Sequence, residues 1–216
     1  MILRYLLPAL VASLLLGSPA KAGFQFQFTD SSGNASSGFT INPTTGTVDI
    51  RVYLLQSGGS TNLTANGLVA GGVALQFSSS GPFTVTSASN ITPNSAFGQN
   101  NTSVTSNGGT TSATLQVQNS SPVFAPTTGA DANRILLGTF TFTGLSNGTG
   151  VVITTLPDPS SANNVDGLGN NLDPMITNSS TTITVVPEPS SLLLTGLLAV
   201  GGITGAAWRR SRRRAA

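Results

Sequence analysis

The chain contains neither cysteine nor histidine, and only one lysine, one glutamate and one tryptophan. Without the first two there is no thiol nucleophile, no imidazole base, no disulfide framework and no zinc site of the usual kind. The one lysine, Lys21, falls in the first 22 residues, so the rest of the chain has no amine for Schiff-base chemistry. Charge is scarce as well: 7% of residues are charged, against roughly 25% in ordinary globular proteins. Between the two ends, six aspartates are the only strong acid–base groups. A glycosidase needs two carboxyls facing each other across a sugar. The nearest set, Asp158, Asp166 and Asp173, lies in one Pro/Asn/Gly-rich stretch where aspartates commonly form turns. The sequence therefore reads as non-enzymatic, with no catalytic residue.

What charge exists is unevenly placed. Arg4 and Lys21 belong to the first 22 residues, and Arg209, Arg210, Arg212, Arg213 and Arg214 to the last eight. Residues 23–186 hold Arg51 and Arg134 against six aspartates, a net charge of −4. No basic stripe with interleaved aromatics runs through them, which sets nucleic acid aside despite a sequence pI near 9.7.

Both ends read as addresses. Arg4 gives a short positive start, Leu6 to Leu16 is an apolar run interrupted by Pro8 and Ser13, and Ala20-Lys21-Ala22 has the small-x-small form that signal peptidase accepts. Residues 1–22 are expected to be a signal-peptide helix cut after Ala22. At the other end, residues 190–208 carry no charge; as a helix they would span about 28 Å, close to the hydrocarbon thickness of a bilayer. The arginines of the 209–216 tail should hold that tail in the cytoplasm and leave the body outside. Pro187-Glu188-Pro189 stands just before the span. Two prolines lacking N–H groups keep this neck extended, out of both strand and helix. Glu188 puts a negative charge near the helix N-terminus, where the dipole favours it.

Pro-Glu-Pro, a short apolar helix and a terminal arginine cluster together resemble the PEP-CTERM sorting signal of Gram-negative bacteria. The resemblance covers about the last 30 residues and implies recognition by the exosortase, a membrane-embedded cysteine protease of systems associated with exopolysaccharide and biofilm. It implies an exported protein, anchored in the inner membrane by residues 190–208 and then placed at the cell surface or in the extracellular matrix. The other reading is a carbohydrate- or calcium-dependent adhesion module on an uncleaved single-span anchor.

Residues 23–186 are rich in Ser, Thr, Asn and Gly, with short apolar runs. Phe24, Phe26 and Phe28 alternate with glutamines, and Val48, Ile50, Val52 and Leu54 alternate with Asp49, Arg51 and Tyr53, a period-two pattern of strands. Further strands are expected at Val73–Phe77, Phe83–Ser87, Thr110–Gln118, Arg134–Thr143, Val151–Thr155 and Thr181–Val186, separated by Gly/Ser/Asn turns. No segment sustains a helical period. The expected fold is all-β, an antiparallel β-sandwich, cohesin-like or jelly-roll-like, with a core of Phe26, Ile50, Val52, Leu54, Val73, Leu75, Phe77, Leu115, Val117, Phe140, Phe142, Ile153 and Ile183. Thr47 to Val185 resembles cohesin-like sandwiches in strand order, including a Gly-x-Phe-x-Phe strand (Gly138 to Phe142) before the last hairpin. This resemblance implies a fold and a surface for binding.

Two ligand chemistries were weighed. The stretch from Asp158 to Asp173 offers hard oxygen ligands for calcium in Asp158, Asp166 and Asp173, with Asn163, Asn164, Asn170 and Asn171 between them. It lacks the order of a calcium loop, so turn formation is the simpler account. For sugar stacking, the aromatics near loops are Phe39, Phe83, Phe97 and Phe124, and core packing is the simpler account for these as well.

Overall fold

The computed structural model describes residues 23–41, 46–57 and 62–186. Ala20 and Ala22 of the expected signal peptide, the motif Pro187-Glu188-Pro189, the expected span 190–208 and the arginines from Arg209 to Arg214 lie outside the described residues.

Alternation governs the first strand: Phe24, Phe26 and Phe28 are buried on one face, and the intervening glutamines look outward. Thirteen strands are present among the described residues: β1 (Gly23–Thr29), β2 (Gly38–Ile41), β3 (Thr47–Ser57), β4 (Leu68–Ser78), β5 (Phe83–Thr84), β6 (Ile91–Pro93), β7 (Gln99–Asn107), β8 (Thr110–Val123), β9 (Arg134–Gly144), β10 (Gly148–Thr155), β11 (Val165–Asp166), β12 (Ile176–Thr177) and β13 (Ser180–Val185). They form two sheets. Sheet A runs β12-β1-β3-β9-β5, with β6 also on β9; sheet B runs β2-β13-β10-β4-β8-β7, with β11 also on β4. Among the described residues one α-helical turn, α1 (Asn62–Ala65), links β3 to β4.

The two inner faces supply one core. Phe26, Ile50, Val52, Leu54, Val73, Leu75, Phe77, Leu115, Val117, Phe140, Phe142 and Ile183 are all buried in it. Phe77 from sheet B meets Phe83 and Phe142 from sheet A in tilted and edge-to-face contacts, with centroids 5.4–5.8 Å apart. This is the geometry that aromatic quadrupoles favour.

Gly138 explains the glycine of the Gly-x-Phe-x-Phe strand. The register of β9 on β3 shifts between Val52 and Tyr53, which leaves Leu137 as a bulge residue. A Cβ at Gly138 would fall 2.7 Å from the Thr92 carbonyl oxygen and 2.6 Å from Leu115 Cδ2. Only a residue without a side chain lets β6 and β8 approach so closely.

The structure departs from the expected pattern in four ways. Ile153 is 45% exposed and outside the core; Val152 and Thr154 point inward instead. The run Val151-Val152-Ile153 is apolar on both faces, so its phase is undetermined by sequence, and a one-residue shift exchanges the faces. The sandwich is not wholly antiparallel, because β12 pairs with β1 and β13 with β2 in parallel. β7 is a nine-residue edge strand in which Val104 is the sole apolar residue, half-buried against the core, so its sequence gives little alternation to read; and the expected strand at Phe83–Ser87 shrinks to Phe83–Thr84.

Candidate functional site

The chain leaves the sandwich through β13. This strand lies inside sheet B, where Val185 stands opposite Gly148 of β10 on one side and Ile41 of β2 on the other. The domain's last paired residue is therefore two positions before Pro187. Among the described residues no helix is long and apolar enough to cross a membrane.

The three carboxylates weighed as calcium ligands are separately committed. Asp158 accepts from the Ser160 amide and hydroxyl at 2.9 and 2.7 Å and from the Ser161 hydroxyl at 2.8 Å. Those bonds, the Ser160 hydroxyl first, hold its carboxyl below the ordinary aspartate range. Asp166, fully buried, accepts from the amides of Leu168 and Asn170 and from the side chains of Asn170 and Asn66. Burial pushes its carboxyl up, but the donors from Asn170, Asn66 and Leu168 outweigh it and the net shift is downward. Asp173 accepts four bonds, from the backbone and side-chain nitrogens of Asn163 and Asn164, at 2.7–3.0 Å.

Asn163 and Asn164 thus turn nitrogen toward Asp173 and Asn170 does the same toward Asp166, while Asn171 Oδ1 accepts from the Asp173 amide at 3.0 Å. Among the described residues no three acidic side chains gather where a metal could be held. The stretch is a set of satisfied turns.

Asn164 has a further duty. The outward N–H and C=O of Gly72, on β4, fall between the end of β10 at Thr155↔Ala74 and the start of β11 at Val165↔Ala70. No strand covers them. The Asn164 side chain does: its Oδ1 accepts from Gly72 N at 3.1 Å and its Nδ2 donates to Gly72 O at 3.1 Å, replacing a missing peptide group.

Of the aromatics near loops, Phe39, Phe83 and Phe97 are buried core residues, while Phe124 is 55% exposed. It borders a cleft of about 310 Å3 on the outer face of sheet A with Arg51, Tyr53, Asn94, Asp131 and Arg134. Arg134 is locked there. Its guanidinium lies 4.2 Å above the Tyr53 ring, pairs with Asp131 at 2.8 Å, and donates to Gln27 Oε1 and the Gly33 carbonyl, both at 2.7 Å. A second cleft, of about 280 Å3, opens on the outer face of sheet B and is lined by amides, among them Gln99, Asn100, Asn101, Gln116 and Gln118.

The sheet A cleft was not foreseen, although one signal existed. Arg51 and Tyr53 alternate with buried Val52, so both had to face outward from β3, one of only two arginines in the body beside its only tyrosine.

Comparison with known proteins bears on both parts of the chain. Residues 185–214 match the PEP-CTERM protein-sorting motif, which begins on the last residue of β13. The middle region is similar in structure to cohesin modules. The cohesin module of a family 33 glycoside hydrolase from Clostridium perfringens is 9% identical, with 76% of this chain and 97% of that one covered and a TM-score of 0.47. A non-cellulosomal cohesin from the hyperthermophilic archaeon Archaeoglobus fulgidus is 11% identical, covering 80% and 96%, with a TM-score of 0.42. A type II cohesin domain from the cellulosome of Acetivibrio cellulolyticus is 11% identical, covering 75% and 94%, with a TM-score of 0.38. No curated protein matches the chain in sequence.

Proposed function

We propose that this is an exported, non-catalytic surface protein in which a β-sandwich binding module is delivered by a C-terminal signal that an exosortase cuts. The observation that carries the reading is the sorting-motif match over residues 185–214, beginning where β13 ends. In this reading the chain divides into a signal peptide (1–22), the sandwich (23–186) and the sorting signal (187–216). Signal peptidase removes the first part after Ala22. The Arg209–Arg214 cluster keeps the far end cytoplasmic while the exosortase acts at the Pro187-Glu188-Pro189 neck.

A cut after Ala22 would leave Gly23, paired to Ser57 of β3, at the mature N-terminus. The second cut is supported by the short interval between Val185 and Pro187, which puts the motif two positions after a strand paired on both sides. Final placement at the cell surface or in an exopolysaccharide matrix follows from the sorting system that the motif implies.

The test is the intact mass of the mature protein from its native producer. The expected species has lost both residues 1–22 and the segment C-terminal to the neck. A product still carrying residues 187–216 would refute the processing step and leave a membrane-anchored module.

A further inference from the structure

The cleft on the outer face of sheet A combines features that nothing in the sorting reading requires. The loop after β8, residues 124–133, borders the outer-face residues of β3 and β9; Ala125 N donates to Leu63 O and Gln56 N to Asn133 O, both at 2.9 Å, and Asn133 N closes the loop on Pro126 O at 2.8 Å. Tyr53, only 3% exposed, lies under the Arg134 guanidinium, and the loop carries Phe124 at the rim. Arg134 is fully committed to Asp131, Gln27 and Gly33. Arg51 is not: it makes no ion pair and no side-chain hydrogen bond among the described residues, and it lines the same cleft. The Tyr53 hydroxyl likewise has no hydrogen-bond partner among them, although its ring is almost wholly enclosed. Asp131 is half exposed, and only its Oδ1 is engaged, by Arg134.

We propose that this cleft binds the carboxylate-bearing sugar unit of an acidic polysaccharide. A planar guanidinium with free donors accepts a carboxylate as a two-pronged partner. An exposed phenyl ring at the rim offers a face for the apolar side of a sugar ring. An unpartnered phenol and a free carboxylate oxygen suit ring hydroxyls, which both donate and accept. The volume lies at the lower end of the range for small-ligand sites, about 300–1,000 Å3, which fits one or two sugar units and not a folded partner. The net charge of −4 on the body works against an anion at long range, but salt screens it beyond about 8 Å at physiological ionic strength. Within the cleft the two arginines outnumber Asp131.

The inference deepens the reading of the sandwich as a binding module and does not depend on tail processing, which intact mass reports separately. The experiment is calorimetric titration of the full chain in non-ionic detergent with three probes: trigalacturonate, the neutral galactose trisaccharide and triglutamate. Trigalacturonate should bind saturably, and the neutral trisaccharide at least tenfold more weakly. Arg51→Gln should weaken trigalacturonate at least tenfold and Phe124→Ala at least fivefold, with unchanged thermal melts. Arg51→Lys should fall between wild type and Arg51→Gln, and Tyr53→Phe should lose several-fold while keeping the ring that Arg134 covers. The proposal is overturned if trigalacturonate does not bind, if the neutral trisaccharide binds equally well, if Arg51→Gln and Phe124→Ala leave binding unchanged, or if triglutamate binds more tightly, which would make the cleft a site for acidic peptides.

Discussion

Replacing Asn164 by aspartate changes one NH2 group into an oxygen, at the place where a side chain stands in for a strand. The amide orientation is fixed by its neighbours: Oδ1 faces the Gly72 N–H, while Nδ2 faces two acceptors, Gly72 O at 3.1 Å and Asp173 Oδ1 at 2.8 Å. In Asn164→Asp both donated bonds disappear and an oxygen confronts two oxygens at those distances. A neutral bond contributes about 0.5–1.5 kcal/mol and one to a charged group about 1.5–3. Asn164 is fully buried, so water cannot substitute. Together with the new charge beside Asp173, the loss at neutral pH should be about 3–5 kcal/mol, the scale seen on breaking buried ionic networks. Burial and the neighbouring carboxylate raise the pKa of the new carboxyl in the folded state. Its penalty is therefore largest at neutral pH and shrinks as acid protonates it and restores one donor. The body has no tryptophan, so the assay is urea unfolding followed by the far-UV circular dichroism of the sheets. A loss under 1 kcal/mol at neutral pH, or one that does not shrink toward pH 4, would refute the role of Asn164 as a replacement peptide.

Two further changes test separate parts of the same structure. The folded pKa of Asp166 lies below the ordinary 3.8, so its charge supplies stability that is complete above that value and is lost as pH falls through the folded pKa. Urea midpoints measured from neutral pH to about pH 2 should therefore drop in acid, and Asp166→Asn should be less stable at neutral pH with a shallower acid slope; an identical slope would count against the assignment. Thr181 carries the one buried side-chain polar atom without a partner among the described residues, its Oγ1. Thr181→Val keeps the β-branched shape and removes that hydroxyl, so the unfolding midpoint should rise by the equivalent of about 1 kcal/mol; a destabilised variant would show that the hydroxyl is satisfied in solution.

Sequence pattern reached the core wherever one face of a strand is apolar and the other polar. Ile50, Val52 and Leu54 against Asp49, Arg51 and Tyr53 left no ambiguity about β3, and the three phenylalanines of β1 left none either. Pattern failed where both faces are alike. In β10 three apolar residues in a row hid the phase, and in β7 polar residues on both faces hid the strand. The acidic loop posed a different difficulty: an asparagine offers oxygen and nitrogen from the same amide, and only its neighbours decide which is used. Asn163 and Asn164 could therefore be read as ligands for a cation until Asp173 was seen to take both nitrogens. The sheet A cleft was hidden for a third reason, since it joins Arg51 to Phe124 across 73 positions of sequence, which no local spacing records.

The position of β13 also governs how the domain would bear mechanical tension. From Ser180 to Val185 it is bonded along one edge to β10, and from Thr182 to Val185 along the other to β2. Traction on the chain beyond Val185 draws this strand lengthwise between two neighbours, so its ladder bonds share the force and must slip together. The same ladder pulled at right angles to the strand would instead open one bond at a time under a smaller force. Load entering the domain at Val185 is therefore met by two ladders at once.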